Sequence, residues 1–255
     1  MHRFGPSDGA PLVALHGVTG HGIRFQRLAE EGLPERRVIA PDLRGHGRST
    51  WEPPWNAQRL VTDLVELLDA EGLERIDVMG HSYGGLLTTL LITRVPDRIG
   101  RAVLLDPAIA IPAEDAMEAA EDTRLDDGWA SEQEAYAARR EGRAPHTLPM
   151  VDADLAETLD EGPDGRFRMR YSRPAVVTAW GEMAAPPASI AGWSGELLLT
   201  PAAWDDYVGD HVREALRRDL GERFTERPVE AGHILYWDAF DETVAALRPF
   251  LVGQD

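Results

Sequence analysis

The residues with the clearest capacity for chemistry lie in the hexapeptide Gly80–Gly85, which reads Gly-His-Ser-Tyr-Gly-Gly. An apolar run at 76–79 precedes it and another at 86–91 follows, a pattern that predicts a strand, a sharp turn and a helix. Glycines two positions before and after Ser82 remove the Cβ atoms that would collide in such a turn. Ser82 is therefore a candidate nucleophile, and the Tyr83 amide at the helix start can stabilise an oxyanion. The alternative is a glycine-rich connection without chemistry.

A serine nucleophile needs a base to take its proton and a third group to hold that base in the correct tautomer. His233 follows a glycine after the last apolar strand and precedes the last helix, so we expect it at the same sheet edge as Ser82. An acid in the loop after the strand at 196–200 would complete the chain order serine, acid, histidine. Asp205 and Asp206 both lie in that loop.

Strand-like and helical runs alternate along the chain, which predicts an α/β fold with a mostly parallel sheet covered by helices. The runs predict about six parallel strands, at 11–15, 37–40, 76–79, 101–106, 196–200 and 224–228. Only ten residues precede the first of these runs, so we expect at most a token strand before it.

The segment 111–191 breaks this alternation, because strand-like runs become scarce and acidic residues are frequent. Helical stretches at 113–120 and 131–140 and an alternating run at 166–171 predict a mainly helical cap inserted into a core of residues 1–110 and 192–255. We interpret the acidic residues of this cap as a solvated face.

Composition excludes several classes of function. The chain has no cysteine and no lysine, which excludes disulfides, thiolate chemistry, lysine Schiff bases and a P-loop. A formal net charge of −18 disfavours binding to nucleic acids or anionic membranes. No apolar run approaches the length of a membrane span and the first residues lack a signal-peptide pattern, so we expect a cytoplasmic protein.

Several motifs, in the order the family has them, make the chain similar to the α/β-hydrolase superfamily over nearly its whole length. These are Leu-His-Gly at 15–17, Asp-Leu-Arg-Gly-His-Gly-Arg-Ser at 42–49, the hexapeptide at 80–85, Leu-Leu-Asp-Pro at 104–107, and Gly-His at 232–233 before the terminal helix. The resemblance implies Ser82 as nucleophile, His233 as base and Asp205 as the orienting acid. It also implies that the Val18 amide provides the second oxyanion contact beside that of Tyr83.

Two departures from the family pattern affect these expectations. Because only residues 1–10 precede the first run, we expect the two antiparallel strands that usually open the fold to be missing or rudimentary. The turn after the strand at 196–200 carries Pro201 where the family commonly has glycine, which shifts the expected acid by one residue. Asp106, which closes the preceding strand, is the main rival to Asp205, since some members of the superfamily take the acid from that loop; Asp206 ranks behind both. Without a catalytic role, Asp106 would cap loop amides before Pro107.

Together these features predict a cofactor-independent serine hydrolase that cleaves a carboxylic ester or related acyl compound, with a small or medium apolar substrate under the cap. The same three groups serve carbon–carbon bond, lactone and amide hydrolases in the superfamily, and these are the alternatives within the enzyme class. A small-molecule-sensing protein with a hydrolase pocket is the alternative outside it. We expect no metal site, because the histidines lack the spacing of metal ligands.

Overall fold

The computed structural model of the protein describes residues 1–205 and 207–253, and within them the chain forms one seven-stranded sheet and a separate two-stranded hairpin. The sheet strands are β1 (His2–Phe4), β2 (Ala10–Leu15), β3 (Arg36–Ala40), β4 (Ile76–His81), β5 (Ile99–Leu105), β8 (Glu196–Thr200) and β9 (Phe224–Glu226). The hairpin strands are β6 (Leu159–Glu161) and β7 (Phe167–Met169).

The order of strands across the sheet is β1-β3-β2-β4-β5-β8-β9. Six of them, β2, β3, β4, β5, β8 and β9, run parallel, as the sequence predicted. The seventh, β1, is a three-residue strand that pairs antiparallel with β3. The expectation of a token strand before the parallel set is therefore confirmed.

The α-helices that surround the sheet begin and end as follows: α1 (Ala57–Ala70), α2 (Tyr83–Arg94), α3 (Ala113–Leu125), α4 (Glu132–Arg140), α5 (Leu148–Thr158), α6 (Arg173–Met183), α7 (Asp210–Leu220), α8 (Leu235–Asp238) and α9 (Phe240–Leu251). Between β2 and β3 the chain forms a short 3₁₀ helix (Gly22–Phe25) and a π-helical turn (Leu28–Gly32) rather than an α-helix.

Both faces of the sheet are buried, which explains why its strands read as continuous apolar runs rather than alternating ones. In β2, Val13 and Leu15 point into one apolar cluster while Leu12 and Ala14 point into the cluster on the opposite face. Burying a valine or leucine side chain stabilises the fold by about 1.5–3 kcal/mol. The sheet is thus fixed from both sides, and the carboxyl ends of its central strands β4 and β5 lie side by side.

The segment between β5 and β8 holds α3 to α6 and the hairpin β6–β7. It packs onto both apolar clusters, since Leu155 and Met169 join one and Ala179 and Met183 join the other. Over the described residues, no helix combines the length and the apolar character that crossing a membrane would require.

Candidate active site

Ser82 occupies the strained turn that its glycine neighbours predict. Its backbone has φ 54° and ψ −120°, a conformation that costs a residue with a side chain about 1–3 kcal/mol. A Cβ on Gly80 would lie 2.1 Å from the Gly84 carbonyl oxygen, and one on Gly84 would lie 2.1 Å from the Leu15 carbonyl oxygen. The Ser82 amide donates to the Leu105 carbonyl (3.1 Å), which ties the turn to the end of β5.

His233 pairs with Asp106, and this contact supports the rival assignment of the acid. The His233 Nδ1 atom lies 2.6 Å from Asp106 Oδ2, and the Asp106 carboxylate is fully buried. Its other oxygen, Oδ1, accepts from the Ala202 amide at 3.0 Å. Because Nδ1 is engaged by the carboxylate, Nε2 is the nitrogen left to act on a serine hydroxyl.

The prediction of Asp205 as the acid is wrong for this structure, and the reason lies in the turn after β8. After β8 the chain stays paired with the segment between β9 and His233 for longer than expected: Ala202 pairs with Val229, and the Trp204 amide donates to the Ala231 carbonyl at 3.1 Å. This continuation carries Asp205 to the exposed rim. The lower-ranked candidate, Asp206, lies outside the described residues.

The predicted oxyanion amides flank Ser82. Gly17 lies against the serine, since a Cβ on it would be 2.8 Å from Ser82 Cβ and 3.2 Å from Oγ, and Val18 follows directly. Tyr83 is the first residue of α2, where backbone amides have no intrahelical acceptor. Among the described residues, neither the Val18 nor the Tyr83 amide donates to a protein acceptor. Both remain predicted contributors to the oxyanion hole.

A buried neutral histidine fixes the loop after β2. His16 Nε2 accepts from the Leu43 amide (2.9 Å) while Nδ1 contacts the Gly17 carbonyl (2.8 Å), so Nδ1 carries the proton. Burial, reinforced by neighbouring His46, holds the pKa of His16 well below its usual value. Burial likewise lowers the pKa of His46 to about 4. Both rings are therefore uncharged at neutral pH and act as structural hydrogen-bonding groups.

His81 contacts the proposed base, His233. Its Nε2 donates to the His233 carbonyl oxygen at 2.7 Å, and the two rings lie 4.7 Å apart. Burial and then the neighbouring His233 lower the pKa of His81 well below its ordinary value, so the ring stays neutral. Across the described chain, no group of three or more histidine, aspartate or glutamate side chains is arranged to hold a metal ion.

Tyr207, which the sequence did not single out, completes the surroundings of the base. Its ring stacks on His233 with centroids 4.2 Å apart and planes 25° from parallel. Burial, followed by the nearby carboxylates, raises the pKa of its hydroxyl. The same ring borders a cavity of about 310 Å³ whose apolar walls include Ile111, Ala119 and Trp180. Tyr207 lies two residues after Asp205, and this closeness to a predicted site residue is the sequence feature that could have identified it.

Within the described residues, the fold places at one sheet edge a strained serine, an acid–histidine pair and two amides that have no protein acceptor. Residues 12–246 match the model of the Alpha/beta hydrolase family. The chain belongs to this family of hydrolases.

Comparison with individual relatives agrees with this membership. Lipase LipV from Mycobacterium tuberculosis is 36% identical over 253 residues, covering 97% of this chain and 95% of the relative. Esterase YbfF from Escherichia coli is 24% identical over 251 residues, covering 96% of this chain and 94% of the relative. Among solved structures, a marine microorganism esterase superposes with a TM-score of 0.80 at 21% identity and covers 98% of both chains, a likeness of fold.

Proposed function

We propose that the protein is a cofactor-independent serine hydrolase that cleaves a carboxylic ester through an acyl-enzyme on Ser82. The observation that carries the proposal is the 2.6 Å contact between His233 and the buried Asp106 beside the strained serine turn. Packing alone does not explain this buried pair. A carboxylate in this position orients the imidazole and stabilises its charged form. The relatives named lipase and esterase support the choice of an ester.

The proposed reaction follows from the positions of these groups. Ser82 Oγ attacks the ester carbonyl while His233 Nε2 takes its proton, and Asp106 stabilises the imidazolium that forms. The Val18 and Tyr83 amides donate to the tetrahedral oxyanion, each contributing about 3–4 kcal/mol in a site that excludes water. His233 then protonates the leaving alcohol and later activates the water that releases the acid.

We further propose that the segment 111–191 shapes the substrate pocket and that the substrate is apolar and of small or medium size. Ile111, Ala119 and Trp180 come from this segment and form apolar walls of the cavity beside Tyr207. A volume of about 310 Å³ suits a short acyl or aryl group. The absence of cysteine fits the proposed cytoplasmic location.

The test is labelling with a fluorophosphonate probe, followed by peptide mapping, beside an ester panel of increasing acyl length. We expect one adduct, on Ser82, and turnover that Ser82→Ala lowers by several orders of magnitude. Ser7→Ala, which changes an exposed serine in the turn before β2, is the matched control and should behave as the wild type. Equal ester turnover in Ser82→Ala and the wild type would refute the proposal.

The alternatives are separable with the same protein. A carbon–carbon, lactone or amide hydrolase would label on Ser82 yet leave the ester panel slow and turn over the corresponding substrate. A sensing protein would bind its ligand with negligible turnover of every member of the panel.

A further inference from the structure

A buried charged cluster joins the segment 111–191 to the loop that follows β2. Asp154, on α5, accepts from Arg24 Nε at 2.6 Å and from Arg24 Nη2 at 2.7 Å, and its Oδ1 lies 2.7 Å from His21 Nε2. Only 4% of Asp154, 2% of His21 and 9% of Arg24 is exposed. The acidic residues of this segment were interpreted as a solvated face, and Asp154 is a clear exception.

His21 lies three residues after Val18, at the far end of the loop proposed to bind the oxyanion. The near end is closed by a hydrogen bond from the Gly20 amide to the Gly17 carbonyl at 3.1 Å. Beyond His21, the Gly22 amide donates to the Asp42 side chain at 2.8 Å. The core therefore holds one side of the loop through Asp42.

Asp154 holds the other side of this loop, and it does so from α5 rather than from the core. The fork of Arg24 binds both carboxylate oxygens, an arrangement that fixes direction as well as distance. Burial opposes ionisation of Asp154, but the charges and hydrogen bonds of Arg24 and His21 outweigh it and hold the pKa of this carboxyl below its usual range.

Stability alone is a weak explanation for such a cluster. Well-packed apolar residues often replace a buried ion pair without loss of stability, whereas a directional pair can specify one arrangement of the elements it joins. A second guanidinium, that of the half-buried Arg139 on α4, lies 3.9 Å from Asp154 and adds a contact to the same carboxylate. The group is suited to fixing the position of the loop.

We propose that Asp154 is a positioning residue for the reaction: through His21 and Arg24 it sets the loop carrying Val18, so the oxyanion hole is complete only when α5 is docked on the core. This inference rests on the proposed function, because it assigns a role in the same reaction. It differs from that function in placing a determinant of catalysis outside the serine, acid and histidine.

The experiment compares Asp154→Asn with Asp152→Asn. Asp152 lies on the same helix and forms an exposed pair with Arg140, so its replacement removes a charge from α5 without touching the loop. Each variant is assayed for kcat and KM on one short ester. Each is also titrated with an aryl trifluoromethyl ketone, whose hemiketal with Ser82 needs the oxyanion hole, and with the matching methyl ketone, which binds without reacting.

In Asp154→Asn, one amide N–H replaces an acceptor oxygen and faces the donors of Arg24 or His21. We expect kcat and trifluoromethyl ketone affinity to fall together by about 10- to 100-fold, with KM and methyl ketone affinity within about twofold of the wild type. Asp152→Asn should match the wild type in all four quantities.

A second variant keeps the test decisive if Asp154→Asn does not fold. His21→Ala retains the Arg24–Asp154 pair and removes the contact nearest the loop, so it should lower kcat and trifluoromethyl ketone affinity without changing methyl ketone affinity. Unchanged trifluoromethyl ketone affinity in folded His21→Ala or folded Asp154→Asn would overturn the positioning role, even if the melting temperature falls. Loss of the proposed function would look different, since the wild type itself would then lack turnover dependent on Ser82.

Discussion

Replacing Asp106 by asparagine tests the assignment of the acid with little disturbance of the fold. Asparagine has nearly the shape of aspartate and tolerates the positive φ of 39° at this position better than most residues. Its amide oxygen can still accept from the Ala202 amide, the contact that Oδ1 makes at 3.0 Å. The group facing His233 Nδ1 then becomes an N–H donor in place of an acceptor oxygen.

The size of the effect follows from the tautomer of His233. An N–H donor at 2.6 Å requires Nδ1 to be the acceptor, so the ring proton moves to Nε2, the nitrogen that must take the proton from Ser82. The imidazolium also loses its counter-charge. Loss of both effects in a serine–histidine–acid site lowers kcat by about 10⁴-fold, or about 5 kcal/mol of transition-state stabilisation.

The assay is steady-state turnover of a short ester by Asp106→Asn and by Asp205→Asn, with circular dichroism to verify the fold. Asp205→Asn is the comparison variant, because it removes an exposed carboxylate from the other candidate loop. Asp205 also lines the cavity beside Tyr207, so its replacement is expected to act on KM and to change kcat by no more than about threefold. The double variant Ser82→Ala/Asp106→Asn should be no slower than Ser82→Ala alone, since these residues act as a unit. A nearly silent Asp106→Asn beside an inactive Asp205→Asn would refute the assignment.

Two further predictions concern the stability of the turn that carries Ser82 and of the loop that contains Asp42. Gly84→Ala should lower the free energy of unfolding, measured with urea, by about 3 kcal/mol or more, because the new Cβ would lie 2.1 Å from the Leu15 carbonyl oxygen. Gly181→Ala, which adds a Cβ in open space on α6, should instead raise the free energy of unfolding by about 0.5–1 kcal/mol. Equal effects of the two variants would contradict this account. Burial would raise the pKa of Asp42, but hydrogen bonds from two backbone amides lower it to about 2. The ionised Asp42 therefore stabilises the folded protein fully above about pH 4, and this stabilisation is lost as the pH falls towards 2. Asp42→Asn should therefore cost about 2 kcal/mol at pH 7 and much less at pH 2.5, and a constant difference between variant and wild type across this range would show the reasoning to be wrong.

The sheet and the turn that carries Ser82 were predictable because short stretches of sequence determine them. A run of apolar residues with no polar alternation requires burial on both faces, and this holds for β2 whatever the rest of the chain does. The glycine spacing around Ser82 has an equally local cause, since the collisions it avoids involve Gly80, Gly84 and the adjoining strand. The strained turn at Ser82, with its φ of 54°, could therefore be predicted from the glycine spacing alone.

The acid was not predictable in this way, because its choice depends on a distant pairing. Asp205 would be nearer the base if the chain turned away directly after β8, but the pairing of Ala202 with Val229 extends the strand pair and moves the turn outward. The two interpretations of Asp106, as partner of His233 and as cap of a loop amide, were weighed as rivals. In the structure one carboxylate oxygen contacts His233, and the other accepts from the Ala202 amide in the loop after β8 rather than from an amide beside Pro107.

Asp154 shows a second limit of sequence patterns. It stands among partly exposed acidic residues on α5, and its partners His21 and Arg24 lie more than a hundred positions earlier in the chain. Helical periodicity identifies a polar face but does not reveal which polar residue meets a buried cation across an interface. Only the docking of α5 against the loop after β2 selects Asp154 from its neighbours.

The proposed acid, Asp106, follows β5 rather than β8, and this assignment changes what each of the two loops can do. Asp106 begins the connection into the segment 111–191, and the Ala108 amide two residues later donates to the Ser82 carbonyl at 3.1 Å, so backbone hydrogen bonds join the residues next to the proposed acid to the proposed nucleophile. The loop after β8 then has no catalytic carboxylate to hold in place. Its Tyr207 can instead stack on His233 and form a wall of the cavity. In this arrangement substitutions in that loop can alter the pocket while the Asp106–His233 pair keeps its geometry.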